Sequence, residues 1–145
     1  MIKTVRLKPE NIPDLLEFTR QDGFPYAVDE EMVKDYCTGK DPTDMCVQTY
    51  GVYDDEQLIA TMTASFIKVF YHPDSPKGRT VHISGAFTRP ERRRQGFGTM
   101  LLEKIRADAK EYFHADYLCC DTYAPEFFGK YGFKENAEDR MWIII

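Results

Sequence analysis

Two hydrophobic periodicities alternate along this chain and predict a domain of mixed α and β structure. Strand-like stretches, with apolar residues in alternation or in short runs, cover residues 4–7, 45–53, 57–69, 80–87 and 117–120. Apolar residues at helical spacing cover residues 12–20, 30–37, 98–113 and 125–131. A closing pair of strands is predicted at 133–135 and 141–145. The predicted order is therefore strand, two helices, three strands, helix, strand, helix and two strands.

Several elements have recognisable ends or faces. Asn11 and Asp29 are predicted to cap the first two helices, because a side-chain oxygen there accepts from the free amides of the first turn. The strand at 117–120 is expected to be fully buried. The helix at 98–113 is the clearest element, because its apolar residues share one stripe. These residues are Leu101, Leu102, Ile105, Ala109, Tyr112 and Phe113.

Length and composition predict a single soluble domain over residues 1–145. A chain of 145 residues has room for a proper core, and 43% apolar with 30% charged residues is ordinary for a globular protein. No stretch approaches the ~20 apolar residues that a membrane span needs. The first residues lack the apolar run of a signal peptide, which makes a cytoplasmic location the expectation. A net charge of −5 argues against a nucleic-acid partner.

The four cysteines, Cys37, Cys46, Cys119 and Cys120, do not indicate a metal site or a disulfide framework. None forms a Cys-x-x-Cys pair, and adjacent residues of a strand point to opposite faces of the sheet. We therefore expect buried free thiols and no metal.

The most informative segment is Arg92-Arg93-Arg94-Gln95-Gly96-Phe97-Gly98-Thr99, between a predicted strand and a predicted helix. The first amides of a helix have no partner within the helix, and this end carries the positive pole of the helix dipole. Glycines let the backbone come close to a ligand, and the arginines add charge. The segment predicts an anion site suited to phosphate.

The wider segment from Ala86 to Leu102 resembles the acyl-CoA-binding signature of the GNAT N-acetyltransferase superfamily, [Gln/Arg]-x-x-Gly-x-[Gly/Ala]. A second element of that family follows downstream as Phe127-Phe128-Gly129-Lys130-Tyr131-Gly132-Phe133. The resemblance implies an α/β (mixed α+β) GNAT acyl-CoA N-acyltransferase fold, with a mixed central sheet flanked by helices. It also implies acetyl-CoA as co-substrate and acetyl transfer to a primary amine by direct attack.

The resemblance also implies a donor site. The main chain from Arg94 to Thr99 would hold the CoA pyrophosphate, and the strand end at residues 86–88 would bind the pantetheine arm. The amide near Phe87 would polarise the thioester carbonyl. The implied donor-site residues are Ala86, Phe87, Thr88, Arg93, Arg94, Gln95, Gly96, Phe97, Gly98, Thr99 and Phe128.

Two catalytic residues are implied, His82 and Tyr131. His82 matches the position at which histone-type members of the family carry a glutamate base, and histidine suits proton removal from an ammonium group. The alternative for His82 is a half-buried residue with a structural partner. Most relatives have tyrosine at the position of Phe128, placed to protonate the departing CoA thiolate. Tyr131 or Tyr123 is expected to replace that acid. The alternative for each is a structural role, in which the ring packs in the protein and the hydroxyl is only its polar end.

The sequence leaves the acceptor open among small-molecule and peptide amines. Its site is expected to come from residues 21–31 and from the loops at 70–79 and 136–140. A homodimer is a further expectation. No Cys/His or Ser/His pair suggests a covalent intermediate.

Two other functions are compatible with parts of the chain. A catalytically weak acyl-CoA-binding or regulatory module is suggested by Phe128. A dinucleotide-binding oxidoreductase is suggested by the glycines at 96 and 98, but Leu101 holds the third glycine position of that fingerprint.

Overall fold

The computed structural model describes residues 1–25, 28–121, 124–134 and 143 of the chain. Within them, strands and helices follow one another in the predicted order. The strands are β1 (Ile2–Arg6), β2 (Cys46–Asp54), β3 (Gln57–Lys68), β4 (Arg79–Thr88) and β5 (Tyr117–Cys120). The α-helices are α1 (Ile12–Thr19), α2 (Glu30–Tyr36), α3 (Phe97–Asp108) and α4 (Pro125–Tyr131). Of the predicted closing strands at 133–135 and 141–145, residues 133, 134 and 143 are described and lie in no strand, and the other residues lie outside the described part of the chain.

The five strands form one sheet in the order β1-β2-β3-β4-β5. Neighbouring strands are antiparallel except for β4 and β5, which are parallel. A parallel pair needs a crossover connection, and α3 provides it because it lies between these two strands in the chain. The sheet is therefore mixed and flanked by helices, which confirms the predicted fold class.

Strand β3 separates two cores, because its side chains alternate between the faces of the sheet. The even-numbered residues Ala60, Met62, Ala64 and Phe66 pack against α3, with Leu101, Leu102 and Ile105. The odd-numbered residues Thr61, Thr63 and Ser65 face α1 and α2. The core on that side contains Leu7, Leu15, Phe18, Val33, Cys37, Tyr53 and Leu58. The apolar stripe predicted for α3 thus covers only one face of the sheet.

Two buried tyrosines of β2 tie the helices to the sheet. Tyr50 donates to Oδ2 of Asp108 at 2.7 Å, and Lys104 donates to Oδ1 of the same carboxylate at 3.1 Å. On the other side, Tyr53 donates to Asp14 of α1 at 2.7 Å. Burial and these hydrogen bonds raise the pKa of both phenols above the ordinary range. Both tyrosines therefore remain neutral donors.

The start of α1 differs from the sequence prediction, whereas the start of α2 agrees with it. Asn11 precedes α1, but its side chain accepts from the backbone N–H of Lys8 at 2.9 Å. A 3₁₀ turn at Pro9–Asn11 comes before the helix, and Asn11 closes that turn instead of capping α1. Asp29 caps α2 as predicted, because its carboxylate accepts from the N–H of Glu31 at 2.7 Å.

Two predictions about the second half of the chain are wrong in detail. Strand β5 is not fully buried, since Tyr117 is 38% exposed and the other residues are half-buried. It ends the order of the described sheet, so one of its edges has no described neighbour. The α-helical part of α3 ends at Asp108 and continues as a π-helical turn over Ala109–Phe113. The wider turn keeps Ala109 and Phe113 buried in the same core.

None of the four cysteines forms a disulfide, as predicted, but only Cys37 is fully buried. Burial raises the pKa of the Cys37 thiol to about 11. Cys46, Cys119 and Cys120 are partly exposed.

Candidate active site

Strand β4 separates from β5 part of the way along its length. Pairing between the two strands ends at Ile83 and Cys120, whereas β4 continues to Thr88. At the same level, Gly85 and Ala86 lie opposite a single residue of β3, which is a β-bulge. Gly85 has a φ of +59°, a left-handed conformation that glycine adopts without steric cost. The end of β4 therefore leaves the plane of its parallel neighbour.

The turn after β4 leaves a row of backbone N–H groups without partners. A 3₁₀ turn at Pro90–Arg92 leads to Gly96, and α3 begins with the hydrogen bond from the N–H of Met100 to the carbonyl of Gly96 at 3.1 Å. The N–H groups from Arg94 to Thr99 donate to no other group in the described part of the chain. Such a row at the positive end of a helix is the arrangement that an anion site requires.

Each glycine of the turn has a structural reason to be glycine. A Cβ on Gly96 would meet nothing within 4 Å, but its φ is +86°. A Cβ on Gly98 would lie 2.9 Å from Cζ of Phe127 in α4, so this glycine allows α3 and α4 to pack closely. Close approach of a ligand is therefore not the only explanation for either residue.

Two arginines near the turn form hydrogen bonds and ion pairs within the protein. Arg89 is 8% exposed, donates to the carbonyl of Leu58 at 2.8 Å and pairs with Glu17 at 2.9 Å. Arg92 pairs with Asp54 at 2.8 Å. These contacts attach the turn to α1 and to the β2–β3 hairpin.

Arg93 and Arg94 carry the charge that remains near the turn. Arg93 lies over the ring of Phe87, with 5.1 Å to its centroid, and donates to the carbonyl of Thr88 at 3.1 Å. Arg94 is exposed, has a φ of +64° and forms no ion pair with a described residue. Its guanidinium is therefore the one most free to meet a ligand.

The aromatic side chains of the implied donor site point into the protein. Phe87 packs against Phe24, with ring centroids 5.2 Å apart, in the core beneath α1 and α2. Phe97 is 6% exposed and belongs to the core beneath α3. Both residues therefore present backbone rather than side chain to the surface. Gln95 and Thr99 are exposed.

Helix α4 carries the aromatic residues of the second motif. Phe128 is 3% exposed, and its ring centroid lies 5.0 Å from that of Phe127 and 5.2 Å from that of Phe133. The hydroxyl of Tyr131 is buried and has no hydrogen-bond partner among the described residues. An unsatisfied buried hydroxyl is costly, so Tyr131 is a candidate to bond a bound molecule. Tyr123 lies outside the described residues.

His82 lies in β4 just before the separation from β5. Its side chain is 29% exposed, and Nε2 lies 3.8 Å from Oδ1 of Asp121. Asp121 comes two residues after Cys119, the register partner of His82, so both side chains lie on the same face. Sequence reasoning missed this neighbour, because only the register of the parallel pair brings the two residues together.

A cavity of about 320 Å³ lies between helices α1 and α2 and the sheet. Its described lining includes apolar side chains from the helical side, namely Leu15, Phe24, Val28, Met32 and Val33. Hydroxyl groups from the strands form its floor, namely those of Thr49, Thr61, Thr63, Ser65 and Ser84. The lining extends to Gly85 in the bulge, and Ser65 is the register partner of His82. The cavity therefore ends beside His82, where β4 leaves β5.

The sequence contained a signal for this cavity that the sequence reasoning did not use. Thr61, Thr63 and Ser65 recur with a period of two in a strand whose intervening residues are apolar. Such a row predicts a polar strip on one face of a sheet. Which helices cover that strip is decided by tertiary packing.

The acidic residues near α2 differ in the interactions that they form. Asp29 lines the cavity and also caps α2. Glu30 and Glu31 are exposed and form ion pairs with Arg20 and Lys34, each at 3.2 Å.

The segments predicted for the acceptor contribute unequally. From 21–31, residues Phe24, Val28 and Asp29 line the cavity. Its described lining takes no residue from the loop at 70–79. Residues 26–27 and 136–140 lie outside the described residues.

Among the described residues, no group of three or more His, Cys, Asp or Glu is placed to hold a metal ion. Among the described helices, none has the length and apolar character needed to cross a membrane.

Comparison with known families gives one match. The profile of the acetyltransferase (GNAT) family matches residues 12–133, from the start of α1 to the residue after Gly132. No curated protein sequence matches the chain significantly.

Several solved structures share the fold. A predicted acetyltransferase from Clostridium acetobutylicum, solved with acetyl-CoA, has a TM-score of 0.74 and 20% identity and covers 100% of this chain and 96% of its own. An aminoglycoside acetyltransferase from an uncultured soil sample, solved with sisomicin, has a TM-score of 0.72, 13% identity and coverages of 99% and 96%. The ribosomal-protein-alanine N-acetyltransferase of Brucella melitensis biovar Abortus 2308 has a TM-score of 0.66, 13% identity and coverages of 99% and 97%. Identities this low show the fold alone.

The family profile spans most of the chain, and the mixed sheet, the parallel β4–β5 pair and the glycine-opened α3 agree with it. The chain therefore belongs to the GNAT family of acetyltransferases.

Proposed function

We propose that this protein transfers the acetyl group of acetyl-CoA to a primary amine by direct attack. The proposal rests on one junction in the structure. The cavity beneath α1 and α2 ends at Ser84 and Gly85, where β4 leaves β5 and runs toward the amide-rich start of α3. A donor lying along β4 and an acceptor in the cavity would bring their reacting ends together at this junction.

Backbone groups would hold most of the donor. The N–H groups from Arg94 to Thr99 suit the pyrophosphate, because donors and the helix dipole act together there. Exposed Arg94 adds a positive charge. The end of β4 at residues 86–88 would hold the pantetheine arm, and buried Phe128 would supply apolar surface near it. The acetyl-CoA in the Clostridium acetobutylicum structure supports the same co-substrate here.

His82 is the proposed base for the acceptor. A primary amine is mostly protonated at neutral pH and attacks only as the free base. His82 flanks the cavity, and an imidazole is the side chain best suited to take a proton from an ammonium group near neutral pH. Asp121, 3.8 Å from Nε2, would stabilise the imidazolium that forms, because opposite charges at this distance attract each other.

Tyr131 is the proposed acid for the leaving group. The attack forms a C–N bond and breaks the C–S bond, so CoA departs as a thiolate that takes up a proton. The buried hydroxyl of Tyr131 has no other described partner and is a suitable donor. Phe128, at the position where the family resemblance implies tyrosine, cannot donate. A thiol with a pKa near ~8.5 is also a tolerable leaving group without help.

The cavity lining and Cys37 favour direct attack over an acetyl-enzyme, and Cys119, the register partner of His82, is the cysteine whose acetylation the labelling experiment below tests. No cysteine belongs to the described lining of the cavity. Cys37 is buried in the core beneath α2, and burial raises the pKa of its thiol to about 11. The thiolate needed for nucleophilic catalysis is therefore scarce at neutral pH.

The test is CoA release measured with a library of amines, followed by a full kinetic matrix with the best acceptor. Direct attack predicts intersecting double-reciprocal lines, and protein that stays unlabelled after incubation with acetyl-labelled acetyl-CoA alone. Parallel lines together with labelled protein would contradict direct attack. Acetyl-CoA binding without turnover of any amine would favour the catalytically weak binding module.

A further inference from the structure

We propose, on the basis of the function proposed above, that the acceptor is a small primary amine with a single positive charge on an apolar body. Size, lining and charge of the cavity beneath α1 and α2 each support this substrate class.

The size of the cavity favours a small acceptor. Its volume of about 320 Å³ lies at the low end of the range of ligand pockets, roughly 300–1,000 Å³. A single ring or a short aliphatic chain fills such a space. A three-ring amino sugar does not fit within it.

The lining suits an apolar body that ends in a neutral amine. The apolar wall from α1, α2 and the segment between them favours a body that gives up its hydration shell. The hydroxyl floor can accept hydrogen bonds without adding charge. Thr49 and Thr63 share a hydrogen bond at 2.8 Å, and Ser84 lies at the bulge where the donor would arrive. A free-base amine therefore meets neutral acceptors at the reacting end.

The charge of the lining argues against a second ionic group on the acceptor. Asp29 is the one charged residue in the described lining, and its carboxylate already accepts from the N–H of Glu31 at 2.7 Å as the cap of α2. Asp29 is exposed, so an ion pair with its second carboxylate oxygen would return little of the cost of desolvating a second ammonium group. The carboxylate of an amino acid would find no lysine or arginine in the described lining. A buried charge without a partner is costly, so both classes are disfavoured.

Matched pairs of amines test the inference. Heptylamine and 1,6-diaminohexane have the same number of non-hydrogen atoms and differ by a methyl or an ammonium group at the far end. We expect kcat/KM to be about 10- to 100-fold higher for heptylamine, because an unpaired charged group is costly to desolvate. We expect the same direction for 2-phenylethylamine over phenylalanine, whose added carboxylate has no partner.

A negative charge introduced into the wall of the cavity should change the preference for monoamines over diamines. Met32 lines the cavity and is 54% exposed, so substitutions there leave the core intact. Met32→Glu supplies a carboxylate for a second ammonium group and should raise diamine turnover relative to heptylamine by about tenfold. Met32→Gln has a similar size and no charge, and should leave the preference as it is.

The outcomes separate this inference from the proposed function. If acetyl-CoA does not bind in calorimetry, the proposed function fails and the inference fails with it. If acetyl-CoA binds and 1,6-diaminohexane, spermidine, sisomicin or a peptide N-terminus is preferred over every monoamine, only the inference is overturned. If no amine is turned over, the binding of heptylamine and of 1,6-diaminohexane to the CoA-loaded protein is compared instead. Tighter binding of heptylamine supports the inference. Equal binding of the two amines, or no binding of either, overturns the inference.

Discussion

The proposed donor side and the proposed acceptor side of this molecule are built in different ways. The donor side is one continuous segment, from the bulge in β4 to the first turn of α3, and it offers mainly backbone N–H groups. The acceptor side is a cavity lined by side chains from α1, α2, β2, β3 and β4. Backbone amides recognise a phosphate whatever the neighbouring side chains are. Side chains from distant segments determine the shape and charge of the cavity, so acceptor choice can change while the donor site stays intact.

The glycine at the start of α3 gives the largest effect expected on donor binding. Gly96 and Gly23 have φ values of +86° and +84°, and a Cβ on either would meet nothing within 4 Å. Valine strains both positions equally, by roughly 1–3 kcal/mol. Gly96→Val should weaken acetyl-CoA binding about 10- to 100-fold in calorimetry, because it displaces the N–H row.

Gly23→Val is the matched control, since Gly23 follows α1 on the acceptor side. It should leave acetyl-CoA affinity within about twofold of the wild type. An equal loss of affinity in both variants would show that general strain, and not the geometry of the turn, controls donor binding.

His82 stands where the two sides meet. His82→Ala should lower kcat/KM by ~10²-fold near neutral pH, with a loss that shrinks as pH rises and the free amine becomes abundant. Asp121→Asn should give a smaller loss with the same pH dependence, because it acts through His82. Acetyl-CoA affinity should stay unchanged in both variants. A loss that does not depend on pH would assign His82 a structural role.

The acid proposed for the leaving group can be tested at the same junction. Tyr131→Phe removes a buried hydroxyl without a described partner and should slow turnover by ~10²-fold. Phe128→Tyr should then do little, and acetyl-CoA affinity should be unchanged by either substitution. Faster turnover of Phe128→Tyr together with an unaffected Tyr131→Phe variant would show that the enzyme works without a side-chain acid.

Gly98 tests whether the donor turn is shaped by its ligand or by packing. In Gly98→Ala, the added Cβ crowds the ring of Phe127 at 2.9 Å, and overpacking should lower the free energy of unfolding by about 1–3 kcal/mol. The second substitution Phe127→Leu should restore much of this loss in urea unfolding. We also expect bulky residues at position 98 to weaken CoA binding far more than a change at Lys134.

The double variant then distinguishes the two explanations. If packing alone matters, Gly98→Ala with Phe127→Leu should bind acetyl-CoA nearly as well as the wild type. If affinity stays low after stability is restored, the Cβ itself obstructs the ligand.

The smallest effect is expected in the core of the acceptor side. Burial raises the pKa of Cys37 to about 11, so its thiol ionises more readily in the unfolded chain than in the folded one. The free energy of unfolding should therefore fall by up to roughly 2 kcal/mol more between pH 9 and 11 in the wild type than in Cys37→Ala. Turnover at neutral pH should be unaffected. Equal slopes in urea titrations of both proteins would contradict this account.

Local signals in the sequence were sufficient to predict the free N–H groups at the start of α3, on the proposed donor side, and most of the element order. Strand and helix periods depend on near neighbours, and the glycine-opened start of α3 needs only its own segment to expose N–H groups. Asp29 caps α2 as predicted for the same reason. Asn11 does not cap α1, because a competing 3₁₀ turn at Pro9–Asn11 takes its side chain.

Tertiary structure alone decided what lies at the junction and on the acceptor side. The register of β4 and β5 brings Asp121 beside His82, and a parallel register has no signature in either strand. The hydroxyl strip of β3 becomes the floor of a cavity only because α1 and α2 cover it. The packing of α4 buries the hydroxyl of Tyr131 and leaves it without a partner among the described residues. Periodicity records which face of an element is apolar, whereas the partner of that face is set by long-range packing of the whole chain.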